Sequence, residues 1–115
     1  MSADWKGHER DVARLLGLDQ TTSSGNRFHD PGDVVDRSHS LNNDFAIIAD
    51  CKCTEKLSAT VKLIVLNEWR ERAAEMGKRF IMPLRFWPRG ANRPSDFVLV
   101  PLDDFAELLH KAGVT

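Results

Sequence analysis

The run Asp44-Phe45-Ala46-Ile47-Ile48-Ala49-Asp50-Cys51-Lys52-Cys53-Thr54 constrains this chain more than any other part of it. In a strand, successive side chains point to opposite faces. Ala46, Ile48, Asp50 and Lys52 therefore share one face, and Phe45, Ile47, Ala49 and Cys51 share the other. Both faces are apolar as far as Ala49. A strand of that kind lies inside a sheet covered on both sides, and this one ends by presenting a carboxylate and an amine side by side.

The neighbouring segments supply the cover. Trp5, Glu9, Val12 and Leu16 recur at the spacing of one helix face, so a first helix is expected over Asp4 to Leu16, stopped by Gly17. Glu9 falls in the middle of that apolar stripe, and a core-facing carboxylate needs a reason. From Gln20 to Gly32 the chain turns to Thr, Ser, Gly, Asn, Asp and Pro, a long loop whose Ser24, Gly25, Asn26 and Arg27 are candidates to approach a phosphate. Asp33 to Arg37 and Asp44 to Thr54 read as two strands of a hairpin. Leu57 to Met76 reads as the main helix, with Val61, Val65, Trp69, Ala73 and Met76 on its buried face. Phe80 to Phe86 and Phe97 to Val100 follow as strands, and a last helix opens on Asp104 and Glu107 as a capping box, buries Phe105, Leu108 and Leu109, and ends at Gly113. The expected fold class is α/β, a central mixed β-sheet flanked by helices in the order α-β-β-α-β-β-α.

At 115 residues the chain has the length of one domain, taken as 1–115. Its 42% hydrophobic and 29% charged residues are those of a folded protein rather than a disordered one. No apolar run approaches the roughly 20 residues that span a bilayer, and the first residues lack the apolar core of a secretory signal. A cytoplasmic location is expected, a host cytoplasm included. Cys51 and Cys53 stand too close along one strand for a comfortable disulfide and supply too few ligands for zinc, so both read as reduced, small apolar residues. The formal charge of −1 runs against nucleic-acid binding as a sum. The 16 Lys and Arg residues matter through their distribution.

Chemistry concentrates where Pro31-Gly32-Asp33 leads through the hairpin to Asp50-Cys51-Lys52. Mg²⁺ prefers carboxylate oxygens and keeps some of its waters. Two aspartates on adjacent strands, with the backbone carbonyl of Cys51 between Asp50 and Lys52, make an open site for it. An ammonium at Lys52 can orient or help deprotonate a metal-bound water and offset charge on a scissile phosphate. Glu9 joins as a fourth member if its helix face packs on this sheet. The bland alternative makes Asp33 a turn cap, Asp50 and Lys52 a strand-end ion pair, and Glu9 a side chain reaching for solvent. It explains each residue separately but not why a buried strand ends in two charges.

The order Glu9, Ser24-Gly25, Pro31-Gly32-Asp33 and Asp50-Cys51-Lys52 resembles the PD-(D/E)XK nuclease superfamily, and within it the small archaeal and phage Holliday junction resolvases. The opening Lys6-Gly7-His8-Glu9-Arg10 and the helix that ends at Gly77-Lys78 look like theirs as well. The resemblance implies a restriction-endonuclease-like core in which Glu9, Asp33 and Asp50 bind Mg²⁺, with Mn²⁺ able to substitute, and Lys52 is the catalytic lysine. It also implies a homodimer cutting opposed strands of branched DNA through metal-activated water. Many relatives carry Glu where this chain has Asp50. Lys6, Arg10, Ser24, Arg27 and Lys62 are candidates to contact DNA, and Arg14, Lys56, Arg89 and Arg93 to position it.

Other mechanisms fall away on composition. The chain has no Tyr, which excludes a tyrosine recombinase, and no Walker-type phosphate loop. His8, His29, His39 and His110 show no metal-pairing interval and read as surface or loop residues, with His8 a candidate DNA contact beside Glu9. A flap, nicking or restriction-like nuclease would keep the same centre. A non-catalytic DNA-binding module of the same fold would have had no need to keep such costly charges.

Overall fold

The computed structural model describes residues 5–20, 34–35 and 46–114. In chain order the elements are α1 (Trp5–Leu16), β1 (Asp19–Gln20), β2 (Val34–Val35), β3 (Ile47–Ala49), β4 (Lys52–Thr54), α2 (Leu63–Glu75), β5 (Arg79–Phe86), β6 (Ser95–Leu99) and α3 (Leu102–Lys111). This is the expected mixed α/β class, with an added short strand, β1, beyond the expected order. The sheet runs β1-β2-β3-β5-β4, with β6 also paired to β5. β1, β2 and β3 pair antiparallel in succession, β3 and β4 both pair parallel with β5, and β6 closes antiparallel on β5.

β3 and β4 are two segments of one strand. Ala49 pairs with Ile81 and Lys52 with Leu84, the same advance on both chains, so the register is unbroken. Between them the Asp50 N–H still donates to the Ile81 carbonyl at 3.1 Å. In a parallel ladder the return rung would run from the N–H of residue 83 to the Asp50 carbonyl. Residue 83 is proline, which has no N–H. The strand expected as Asp44 to Thr54 is thus split at Asp50 and Cys51, and its first two residues lie outside the described ones.

The two faces of this strand are covered as its alternation requires. Ala49, Cys51 and Ile81 pack with Val12, Ala13 and Leu18 on the α1 side, where the Cys51 thiol is buried and not in a disulfide. Ile48, Phe80 and Met82 pack with Ala73 on the α2 side, flanked by Leu66 and Trp69. Trp69 stacks on Phe80 with centroids 5.8 Å apart and planes 5° from parallel. Gly77, at φ 70°, takes the left-handed position that ends α2, letting the Lys78 N–H reach back to the Ala73 carbonyl at 2.8 Å. Gly17 ends α1 in the same manner.

Three expectations need correction. The buried face of α1 is made by His8, Val12 and Ala13, and Leu16 of the expected stripe is 45% exposed. The helix is turned so that Asp11 meets a buried arginine of β5, Arg85, at 3.0 Å. The main helix starts at Leu63 rather than Leu57. Thr60 and Val61 are β-branched, Ser58 and Thr60 carry hydroxyls that compete for backbone bonds, and Lys62 at the N-cap is extended with no side-chain cap. α3 begins after Pro101 without a side-chain cap. Its Glu107 is instead drawn to Arg79, which donates through Nε at 3.2 Å. Phe105 and Leu108 stay about 40% exposed, so α3 buries no residue fully.

Candidate active site

Asp50 and Lys52 come together at the strand break. Lys52 Nζ lies 3.3 Å from Asp50 Oδ2, with the Lys52 side chain half exposed and that of Asp50 only 10% exposed. The same Oδ2 is buried and accepts no hydrogen bond, so the contact is an ion pair without an aligned bond. Residue 83, the ladder donor that would serve the Asp50 main-chain carbonyl, is proline and has no N–H to give. Leaving a buried acceptor unsatisfied costs about 1–3 kcal/mol, and such a group asks for an explanation. Proline inside a central strand was the sequence signal for this, and the pattern reading of Phe80 to Phe86 passed over it.

A buried carboxylate oxygen and a main-chain oxygen without its rung are hard donors of the kind Mg²⁺ and Mn²⁺ take. They fit a divalent cation but do not complete a site for one. Among the described residues no group of three His, Cys, Asp or Glu is placed to hold an ion. Asp33, Ser24 and Arg27 lie outside the described residues. The residue after Asp33, Val34, pairs with Ala49, immediately before Asp50. Glu9 is half-buried on α1, which covers the Ala49 and Cys51 face. Lys52 belongs to the other face, where it lines a cleft with Val61 and Leu84 of the α2-side core. Of the four expected centre residues, two are described in contact. Lys6, Arg10 and Lys62 are exposed, the first two on α1 and the last at the head of α2.

A second cluster went unread in the sequence. Arg85, 5% exposed, donates through Nε and Nη2 to the two carboxylate oxygens of Asp96 at 2.7 and 2.8 Å and approaches Asp11 at 3.0 Å. Asp96 is its cross-strand partner. The carboxylates hold Arg85 charged well above the ordinary arginine range, and the Arg85 guanidinium holds Asp96 below its ordinary value. His8 is 1% exposed, which overturns its reading as a surface residue. Neither ring nitrogen has a hydrogen-bond partner. Burial, reinforced by Arg85 and opposed by Asp96 and Asp11, lowers its pKa from 6.5. An arginine inside the apolar run Phe80 to Phe86 was the available signal. No helix among the described residues is long and apolar enough to cross a membrane. No protein-family model, curated protein or solved structure matches the chain.

Proposed function

We propose that the chain is a metal-dependent, structure-selective DNA endonuclease built on a restriction-endonuclease-like core and acting on branched DNA, a Holliday junction above all. The observation that carries the reading is the Lys52 ammonium 3.3 Å from a buried Asp50 oxygen that accepts no hydrogen bond. An ion pair kept only for stability would be satisfied by hydrogen bonds or left on the surface. Here one carboxylate oxygen is kept buried, without a hydrogen bond and beside an amine at the end of a core strand, an arrangement suited to a hard cation and a phosphate.

Asp50, with Asp33 as a further carboxylate and the Cys51 main-chain carbonyl, would hold Mg²⁺ or Mn²⁺, and Glu9, carried by the helix over the opposite face of the strand, would stand apart from them. When bound, the cation supplies neutralisation of phosphate charge and acidification of water. Asp50 restrains Lys52, whose half-exposed side chain extends from the buried carboxylate toward solvent. Its ammonium meets the negative charge that builds on the phosphate as water adds to phosphorus and the bond to the leaving sugar oxygen breaks. Pairing of Val34 with Ala49 supports including Asp33, because one peptide step is only about 3.8 Å.

Incubation of the full chain with Mg²⁺ or Mn²⁺ and a labelled four-way junction, a flap and a linear duplex tests this directly. The junction should be cut most efficiently. Asp50→Asn and Lys52→Ala should each lower the rate by at least about 10²–10³-fold and leave DNA binding largely intact. Full activity in either variant would mean that the centre lies elsewhere, and a folded wild type that cuts none of the three DNAs would remove the enzyme reading.

A further inference from the structure

Next to Lys52 a cleft of about 360 Å³ opens at the carboxyl ends of β4 and β5. Ligands of open α/β sheets gather at such strand ends. Lys52, Thr54, Lys56, Ser58 and Thr60 line it with ammonium and hydroxyl groups, and Val61 and Phe86 contribute apolar walls. Its lining contains Lys52 and Lys56 and no Asp or Glu, its one Arg being Arg85, already paired with Asp96 and Asp11, in a chain whose acidic residues outnumber its basic ones. The segment that fails to join α2 is the one that builds this wall. Had Leu57 to Lys62 been helical, its hydroxyls would have been spread around a helix. Extended, Ser58 and Thr60 line the same cleft.

We infer that this cleft seats the nucleotide adjoining the scissile phosphate, with Lys56 and the hydroxyls of Thr54, Ser58 and Thr60 on the sugar-phosphate and the apolar walls against the base. The inference rests on the reading of Asp50 and Lys52 as the cleavage centre, and it adds the direction in which the strand leaves that centre. Charge complementarity selects the occupant, since a phosphodiester is the anion that a neighbouring hydrolytic site requires. The volume falls at the low end of ordinary ligand pockets, about 300–1,000 Å³, which suits one nucleotide unit and is too small for a duplex. Sequence plays no part in such a contact, because phosphate contacts position rather than specify.

The test uses the full chain carrying Asp50→Asn and a fluorescein-labelled single-stranded thymidine oligonucleotide, read by anisotropy across a salt series. Adding Lys56→Glu should weaken binding about tenfold and reduce the slope of log affinity against log salt by about one. Ser58→Asp should weaken it similarly, whereas Arg70→Glu, the same charge reversal on an exposed face of α2, should have a smaller effect on both. A methylphosphonate version of the oligonucleotide, lacking backbone charge, should bind the parent and the Lys56→Glu protein alike. Equal affinity and equal salt slope for parent, Lys56→Glu and Ser58→Asp would overturn the inference. The two proposals fail separately. Cleavage by wild type with binding indifferent to Lys56 removes the cleft and leaves the centre. Binding that depends on Lys56, with no cleavage by wild type in Mg²⁺ or Mn²⁺, removes the centre and leaves the cleft as a nucleic-acid site.

Discussion

At position 83 a single pyrrolidine ring decides what the Asp50 carbonyl meets. Every other pairing across β3, β4 and β5 keeps one register, so the chain has the geometry for a continuous parallel strand and lacks only this donor. Pro83→Val would supply it. The new rung adds about 0.5–1.5 kcal/mol, and the loss of proline's restraint on the unfolded chain takes back about 0.4–1 kcal/mol. Stability should therefore change little, within about 1 kcal/mol in urea unfolding. Cleavage should respond much more, because Asp50 is drawn into regular strand geometry. The expected result is a higher Mg²⁺ concentration for half-maximal rate and at least about a tenfold fall in rate at limiting Mg²⁺. An unchanged Mg²⁺ dependence, with hydrogen exchange reporting a protected amide at residue 83, would separate the strand break from the chemistry.

A buried clamp joins three of the elements, Arg85 of β5 holding Asp96 of β6 and Asp11 of α1 beside His8. It makes the packing of α1 sensitive to pH in two ranges. His8 has its pKa lowered in the fold, so the unfolded chain takes up the proton first, and stability is lost as pH falls below the ordinary value of 6.5. Asp96 also has a lowered pKa, so its contribution is complete above the ordinary 3.8 and is lost as pH falls through the lower folded value. Thermal unfolding from pH 8 to pH 3 should show two successive losses, and His8→Phe should remove only the upper one. A single loss below pH 4 in wild type would contradict the burial of a titrating His8. This clamp also marks the limit of what the sequence conveys. The two-faced strand, the three helix-stopping glycines and the Asp50–Lys52 pair are local patterns, legible from alternation and spacing. The facing of α1 and the engagement of Glu107 by Arg79 depend on partners far along the chain, where helical periodicity alone points elsewhere, whereas the late start of α2 is local, set by the hydroxyl and β-branched residues before Leu63 that periodicity does not weigh. Asp33, Ser24 and Arg27 fall outside the described residues, so their part in the centre stays with the proposal.

For the whole molecule, a formal charge of −1 must be reconciled with the polyanionic substrate proposed for it. Distribution supplies part of the answer, since the cleft beside Lys52 has no carboxylate in its lining. Cutting opposed strands of one junction also requires two centres, and α3 offers a surface on which two copies can meet. Leu102, Phe105 and Leu108 expose 81%, 42% and 40% of their area along it, and Val114 follows at 68%. Its first turn carries Asp103 and Asp104, and its last turn carries His110 and Lys111. Two such helices laid antiparallel about a two-fold axis bring the acidic end of each against the basic end of the other and close without leaving a free face. Burying Phe105 and Leu108 at that contact would stabilise it at about 25 cal/mol per Å² of apolar surface removed from water. Sedimentation equilibrium of wild type should therefore give twice the 13.0 kDa chain mass. Phe105→Glu should give the single-chain mass with the fold intact by circular dichroism, because a carboxylate at this half-exposed position is hydrated in the monomer and buried only in the pair. The monomeric variant should still nick a junction slowly at one strand but lose paired incision, which a supercoiled cruciform plasmid reports as nicked rather than linear product. Linear product from a monomeric Phe105→Glu would detach junction cutting from pairing through α3.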